Sequence, residues 1–90
     1  MKAFDVSILS AEKPFYEGPC ESVVLPTIDG SFGILADHCN MVAAVMPGIL
    51  TCRLPGGEIR KAEVSHGLVK VEGNEVLLLV DTIKKLDKEN

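Results

Sequence analysis

The 90-residue sequence has no tryptophan, and its only aromatic side chains are Phe4, Phe15, Tyr16 and Phe32. That leaves no platform on which nucleic-acid bases could stack. Positive charge is also short: nine Lys and Arg stand against thirteen Asp and Glu, for a net charge of −4. Nucleic-acid binding rests on basic side chains neutralising phosphates, so no such partner is expected. Long apolar runs are missing. The longest, residues 41–46 and 76–80, fall far short of the about 20 residues that span a bilayer. The opening residues run straight into a strand-like pattern, with no apolar segment of the export-signal kind. No GxxxxGK[ST] pattern occurs, so the Gly30 to Gly33 stretch is no phosphate loop. Cysteines are few and odd in number. Cys20, Cys39 and Cys52 read as reduced thiols inside a cell, either small buried hydrophobes or loop thiols.

What is present is a globular composition, 47% hydrophobic and 24% charged, in a length that suits one domain. A domain of this size buries only about 60–65% of its unfolded surface. Its core is modest, and a partner surface can contribute to its stability. The acidic excess sits in residues 1–45, where two Lys and six acids give −4; residues 46–90 carry seven of each sign. A basic partner would be steered to the first half.

The chain reads as short strands between turn signals. Residues 3–9 alternate, with Phe4, Val6 and Ile8 on one side and Asp5 and Ser7 on the other. Pro14, Phe15 and Tyr16 follow, and Gly18 and Pro19 read as turn residues. Residues 21–26 are β-branched-rich. Asp29-Gly30 is a hairpin signal, with residues 32–35 resuming the strand. Residues 41–45 make another short strand, and Pro47-Gly48 punctuates it. Further strands are expected over residues 49–54, 58–65, 68–72 and 75–81, separated by Pro55-Gly56-Gly57, Gly67 and Gly73-Asn74. Ile59, Ala62 and Val64 are the inward candidates of one. The run Val76-Leu77-Leu78-Leu79-Val80 suits a strand buried on both faces.

Many short strands at close spacing predict an all-β fold, a flattened sandwich or barrel of about eight to ten strands. Residues 1–82 would form it. Residues 83–90 read as a polar tail or the start of a helical hairpin, with Thr82 as a cap. That helix is too short to stand alone.

Two clusters invite a chemical reading and fail it. Asp37-His38-Cys39 are consecutive and would point to alternating sides of an extended chain, which does not suit one metal ion. Ser65, His66 and Asp81 are the residue types of a hydrolase triad, but no nucleophile elbow precedes the serine, and neighbouring Ser and His do not readily pair. No catalytic residue, cofactor or metal is expected.

The stretch Gly30-Ser31-Phe32-Gly33-Ile34-Leu35, then His38, then residues 41–45, then Pro47-Gly48-Ile49-Leu50 resembles the central block of the epsilon subunits of F-type ATP synthases. Phe4-Asp5-Val6-Ser7-Ile8-Leu9-Ser10-Ala11-Glu12 is similar to the family's opening strand and turn. Ser65-His66-Gly67-Leu68-Val69-Lys70-Val71 is similar to its small–Gly–Gly–aliphatic stretch, and residues 76–82 to the end of its sandwich. The likeness covers nearly the whole chain in order. There are departures. Of the Pro-Gly-His-Ala-Pro loop only His38 remains, Ser31 stands where an acid is common, and His66 replaces one glycine of the pair. The family's C-terminal helical hairpin, with its inhibitory and nucleotide-sensing roles, has no counterpart among these residues.

The resemblance implies a non-catalytic rotor subunit of the central stalk. It would couple the membrane ring of c subunits to the gamma subunit during ATP synthesis, on the cytoplasmic face of a bacterial plasma membrane or the equivalent face of another energy-transducing membrane, touching the membrane only through the complex. By position, Asp29, Ser31, Asp37 and His38 would meet the ring, whose loops carry a basic residue in this family; Asp29 and Asp37 could stand in for the acid absent at Ser31. Ser10, Met41, Val42 and Ala43 would meet gamma. The alternative is a β-sandwich protein-binding module of another complex that shares the fold.

Overall fold

The computed structural model describes residues 2–86. Ten strands form two five-stranded sheets, and no helix occurs among the described residues. The strands are β1 Phe4–Leu9, β2 Pro14–Cys20, β3 Ser22–Thr27, β4 Gly30–Leu35, β5 Met41–Val45, β6 Gly48–Arg53, β7 Ile59–Val64, β8 Gly67–Glu72, β9 Glu75–Val80 and β10 Ile83–Lys85. One sheet has the order β2-β1-β9-β8-β5 and the other β10-β7-β6-β3-β4. Every pairing is antiparallel except β1 with β9. The expected all-β sandwich is what forms.

The period-2 pattern decides what each strand buries. Phe4, Val6 and Ile8 enter the core from β1, and Val76 and Leu78 lie beside the last two on β9. From the second sheet come Leu25, Ile34 and Leu50, all fully buried. Each such side chain contributes about 1.5–3 kcal/mol by leaving water. No polar or charged side chain is buried among the described residues, so the core needs no internal hydrogen-bond network.

The Gly73-Asn74 turn falls on its dipeptide, whereas the Asp29-Gly30 signal is one residue late: Gly30 already opens β4, as Gly48 and Gly67, expected as breaks, open β6 and β8. Thr27 pairs with Gly30 across the Ile28-Asp29 turn, and Glu72 pairs with Glu75 across Gly73-Asn74. Thr27 Oγ1 donates to the Gly30 carbonyl at 2.7 Å and accepts from the Asp29 amide at 3.3 Å, which closes the first of these.

Four further expectations are corrected. Gly18 and Pro19 lie inside β2 rather than in a turn. Strand β2 pairs only with β1, and such an edge position tolerates proline because the missing N–H faces outward. Residues 83–85 are a strand and not a helix start. Ile83 pairs with Val64 and packs on the core, while Lys84 lies opposite Glu63, so sheet pairing overrides local helix preference; residues 87–90 of that expectation lie outside the described range. Ile59 is 41% exposed, because it has the opposite parity to the buried Ala62 and Val64. Finally, β9 is covered on one face only: Leu79 is 44% exposed and Leu77 is half-buried.

Candidate interaction surfaces

The strand registers define two ends of the sandwich. At one, the Ile28 end, lie the loop at residues 10–13, the Ile28-Asp29 turn and the links at 46–47, 65–66 and 81–82. At the other, the Asp37 end, lie the corner at Glu21, the loop at 36–40, the 54–58 connection and the Gly73-Asn74 turn.

These ends separate residues that the sequence reading groups together. Asp29 precedes β4 and Asp37 follows it. A six-residue strand spans about 20 Å, so Asp29 and Ser31 belong to one end and Asp37 and His38 to the other. Their surroundings differ as well. Asp37, at positive φ (65°), holds the Lys2 ammonium at 2.7 Å. His38 is half-buried, its ring edge-on to Phe32 at 5.5 Å between centroids, and its Nδ1 lies 2.9 Å from the Cys39 carbonyl. Asp29 is exposed and makes no ion pair among the described residues. Beside it Ile28 is 82% exposed. Ser31 is exposed on the edge strand β4, opposite Pro26.

The residues named for the second surface also divide. Ser10 closes its own turn: its hydroxyl donates to the Lys13 carbonyl at 2.9 Å and accepts from the amides of Glu12 and Lys13 at 3.3 Å. Met41 and Ala43 face inward against the core. Val42 faces out, 66% exposed.

Val42 is part of a larger feature that no single strand reveals. On the outer face of the first sheet, Leu9 lies beside Leu79, Leu79 opposite Leu68, and Leu68 opposite Ala44. The next row is Ser7, Leu77, Lys70 and Val42, and the third brings together Asp5, Glu75 and Glu72. The face thus runs from an apolar ladder at the Ile28 end to an acidic row at the Asp37 end. Leu68 is 52% exposed and nothing in the described chain covers the ladder. Contiguous exposed apolar surface of this kind marks protein contact. The signal available in sequence was the run at 76–80, whose surplus leucines have no inward place.

Ser65 and His66 are built into a turn. The Ser65 hydroxyl donates to the His66 carbonyl at 3.2 Å and accepts from the Thr82 amide at 2.9 Å, so it is spent on backbone. No group of three metal-ligating side chains occurs among the described residues.

The family described as ATP synthase, delta/epsilon chain, β-sandwich domain matches residues 3–85. The ATP synthase epsilon chain of Afipia carboxidovorans is 40% identical over 86 residues, covering 96% of this chain and 62% of the relative. The ATP synthase epsilon chain 1 of Nitrobacter hamburgensis is 37% identical over 91 residues, covering 98% of this chain and 67% of the relative. The chain thus spans roughly two thirds or less of the length of these relatives. Its fold is similar to that of a chain in the Euglena gracilis mitochondrial ATP synthase structure containing OSCP, F1 and c-ring, with a TM-score of 0.89 at 21% identity over 98% of this chain and 56% of that one.

Proposed function

The chain belongs to the ATP synthase delta/epsilon chain family, matching its β-sandwich domain, and from that premise we propose that it is a non-catalytic part of the central stalk. In this reading it couples rotation of the membrane c ring to gamma, on the cytoplasmic face of a bacterial plasma membrane. No bond is made or broken in the sandwich. It transmits torque, and for that it needs a stiff body and two adhesive surfaces. Ten short strands around an all-apolar core supply the stiffness.

One observation carries the reading. The ladder of Leu9, Leu79, Leu68 and Ala44, with Val42 in the next row, is an apolar face that the described chain leaves in water. We assign it to gamma. Calorimetric titration of this chain with purified gamma subunit from the same source tests it. One-to-one binding with a negative heat-capacity change is expected, the mark of buried apolar surface. Absence of binding to folded gamma would remove the central-stalk reading and leave the fold untouched.

The ring is assigned to the Ile28 end. Asp29 stands there with no partner among the described residues and with Ile28 beside it, whereas Asp37 already holds Lys2. A basic ring loop would be drawn to the unpaired acid. Asp29→Lys should therefore lower affinity for the c ring on the order of ten-fold at low salt, and Asp37→Lys should leave it within about two-fold. Co-sedimentation of the gamma-bound chain with ring-containing membranes reads this out. Equal losses for both variants would return both ends to the contact.

A further inference from the structure

We propose that Cys20 and Cys52 form an oxidation site which small-molecule disulfides convert reversibly into a cystine linking the two sheets. Cys20 is the last residue of β2 in one sheet, and Cys52 lies on β6 in the other. Their side chains meet in the core, 0% and 1% exposed, with Sγ to Sγ at 2.9 Å. Both are free thiols. A bonded pair is about 2.04 Å apart, so closure asks for a movement of under about 1 Å across the core.

The surroundings distinguish the two sulfurs. Cys20 Sγ also lies 3.0 Å from the Ser22 carbonyl and 3.2 Å from that of Arg53. A thiol has one hydrogen, so it cannot serve three partners at once. When Cys52 donates to Cys20, that bond favours charge on Cys20: it holds the Cys20 thiol below its ordinary range against the opposing effect of burial, and the same bond pushes Cys52 up. Cys20, at the end of its strand while Cys52 lies within β6, is the sulfur that meets the disulfide once the corner at Glu21 opens.

Access requires the corner between β2 and β3 to open. Cys20 terminates the edge strand β2, and the next residue, Glu21, donates its amide to the Arg53 carbonyl at 2.8 Å, the bond that must release. A local opening of this kind costs less than global unfolding. In the open form the Cys20 thiolate attacks one sulfur of the disulfide R–S–S–R, forming a Cys20–S–S–R bond and releasing RS⁻. The Cys52 thiol passes its proton to that thiolate. Its sulfur then attacks Cys20 Sγ and expels the second RS⁻, which takes the proton left from the ionisation of Cys20. Two protein thiols and one disulfide become one cystine and two RSH. The third cysteine, Cys39, is exposed in the loop after β4 and has no thiol neighbour among the described residues.

The experiment uses the chain carrying Cys39→Ser, which removes the exposed thiol and leaves the pair intact. It is incubated folded, without denaturant, with oxidised glutathione. The expected product is a monomer lighter by two hydrogens, with Cys20 joined to Cys52 in the peptide map. Its melting temperature should rise by on the order of 10 °C, because the bridge closes a loop between residues 32 apart. Dithiothreitol should reverse both changes. Three results would overturn the proposal: both thiols intact after prolonged exposure, reaction only in denaturant, or arrest at a glutathione adduct or an intermolecular dimer.

Discussion

Alanine in place of Gly67 will destabilise the chain by about 3 kcal/mol or more, the upper end of what overpacking does in a core. A Cβ built at Gly67 falls on the Leu79 carbonyl oxygen, with Val80 Cγ1 at 2.7 Å and the Leu79 carbonyl carbon at 2.9 Å. Backbone on one side cannot swing away as a long side chain would. Gly67 is also held on both flanks, paired with Val45 on β5 and with Val80 on β9. Relief therefore requires parting β8 from β9 where the sheet is continuous. A domain of this length holds roughly 5–13 kcal/mol in all, so a large share is lost. Gly33 is the control. A Cβ there meets nothing within 4 Å, and Gly33→Ala should change stability by no more than about 0.5 kcal/mol. Urea unfolding of the two variants measures the contrast; matching midpoints would mean that β8 and β9 do not approach as described. Of the pair His66-Gly67, the glycine stands at the position with no room for a side chain.

The sequence showed most of the sandwich because period 2 is local. Alternation in β1 and the dipeptides Asp29-Gly30 and Gly73-Asn74 each need only a few residues to be read. Features that depend on the position of a strand in its sheet were not readable. Pro19 signals a turn unless the strand that carries it lies at an edge, and Ile83-Lys84-Lys85 signals a helix unless β7 offers a free side. The same limit applies to the surfaces. Asp29 and Asp37 are close in sequence, but β4 between them carries them to opposite ends. Residues 41–43 read as one apolar strip, whereas the pleat turns Val42 out and its neighbours in. The leucine ladder is assembled from β1, β9, β8 and β5, of which β1 and β9 run parallel across a long separation. No spacing rule announces it. The Cys20–Cys52 approach is hidden for the same reason, since it exists only once the two sheets face each other.

The double variant Leu68→Lys with Leu79→Glu is expected to lose gamma binding by a few hundred-fold while keeping its fold. The two leucines lie directly opposite each other in the middle of the ladder, 52% and 44% exposed. Their exposed halves are what a partner would cover. Losing that burial costs about 1 kcal/mol per side chain, and pressing two charges into an apolar contact adds a similar or larger amount. A total of about 3–4 kcal/mol corresponds to the stated loss in affinity. The charges are of opposite sign by design. Like charges directly across an antiparallel pair would weaken the sheet itself, whereas Lys facing Glu is compatible with it. The melting temperature should therefore stay within a few degrees, about the range of surface substitutions. Leu35→Ser supplies the matching control, because Leu35 is 55% exposed but lies on the outer face of the other sheet, beyond the ladder. It should bind gamma as the parent does. If the double variant binds unchanged, gamma does not sit on this face. If Leu35→Ser fails equally, the contact wraps both sheets, and the sandwich is gripped around its body rather than along one side.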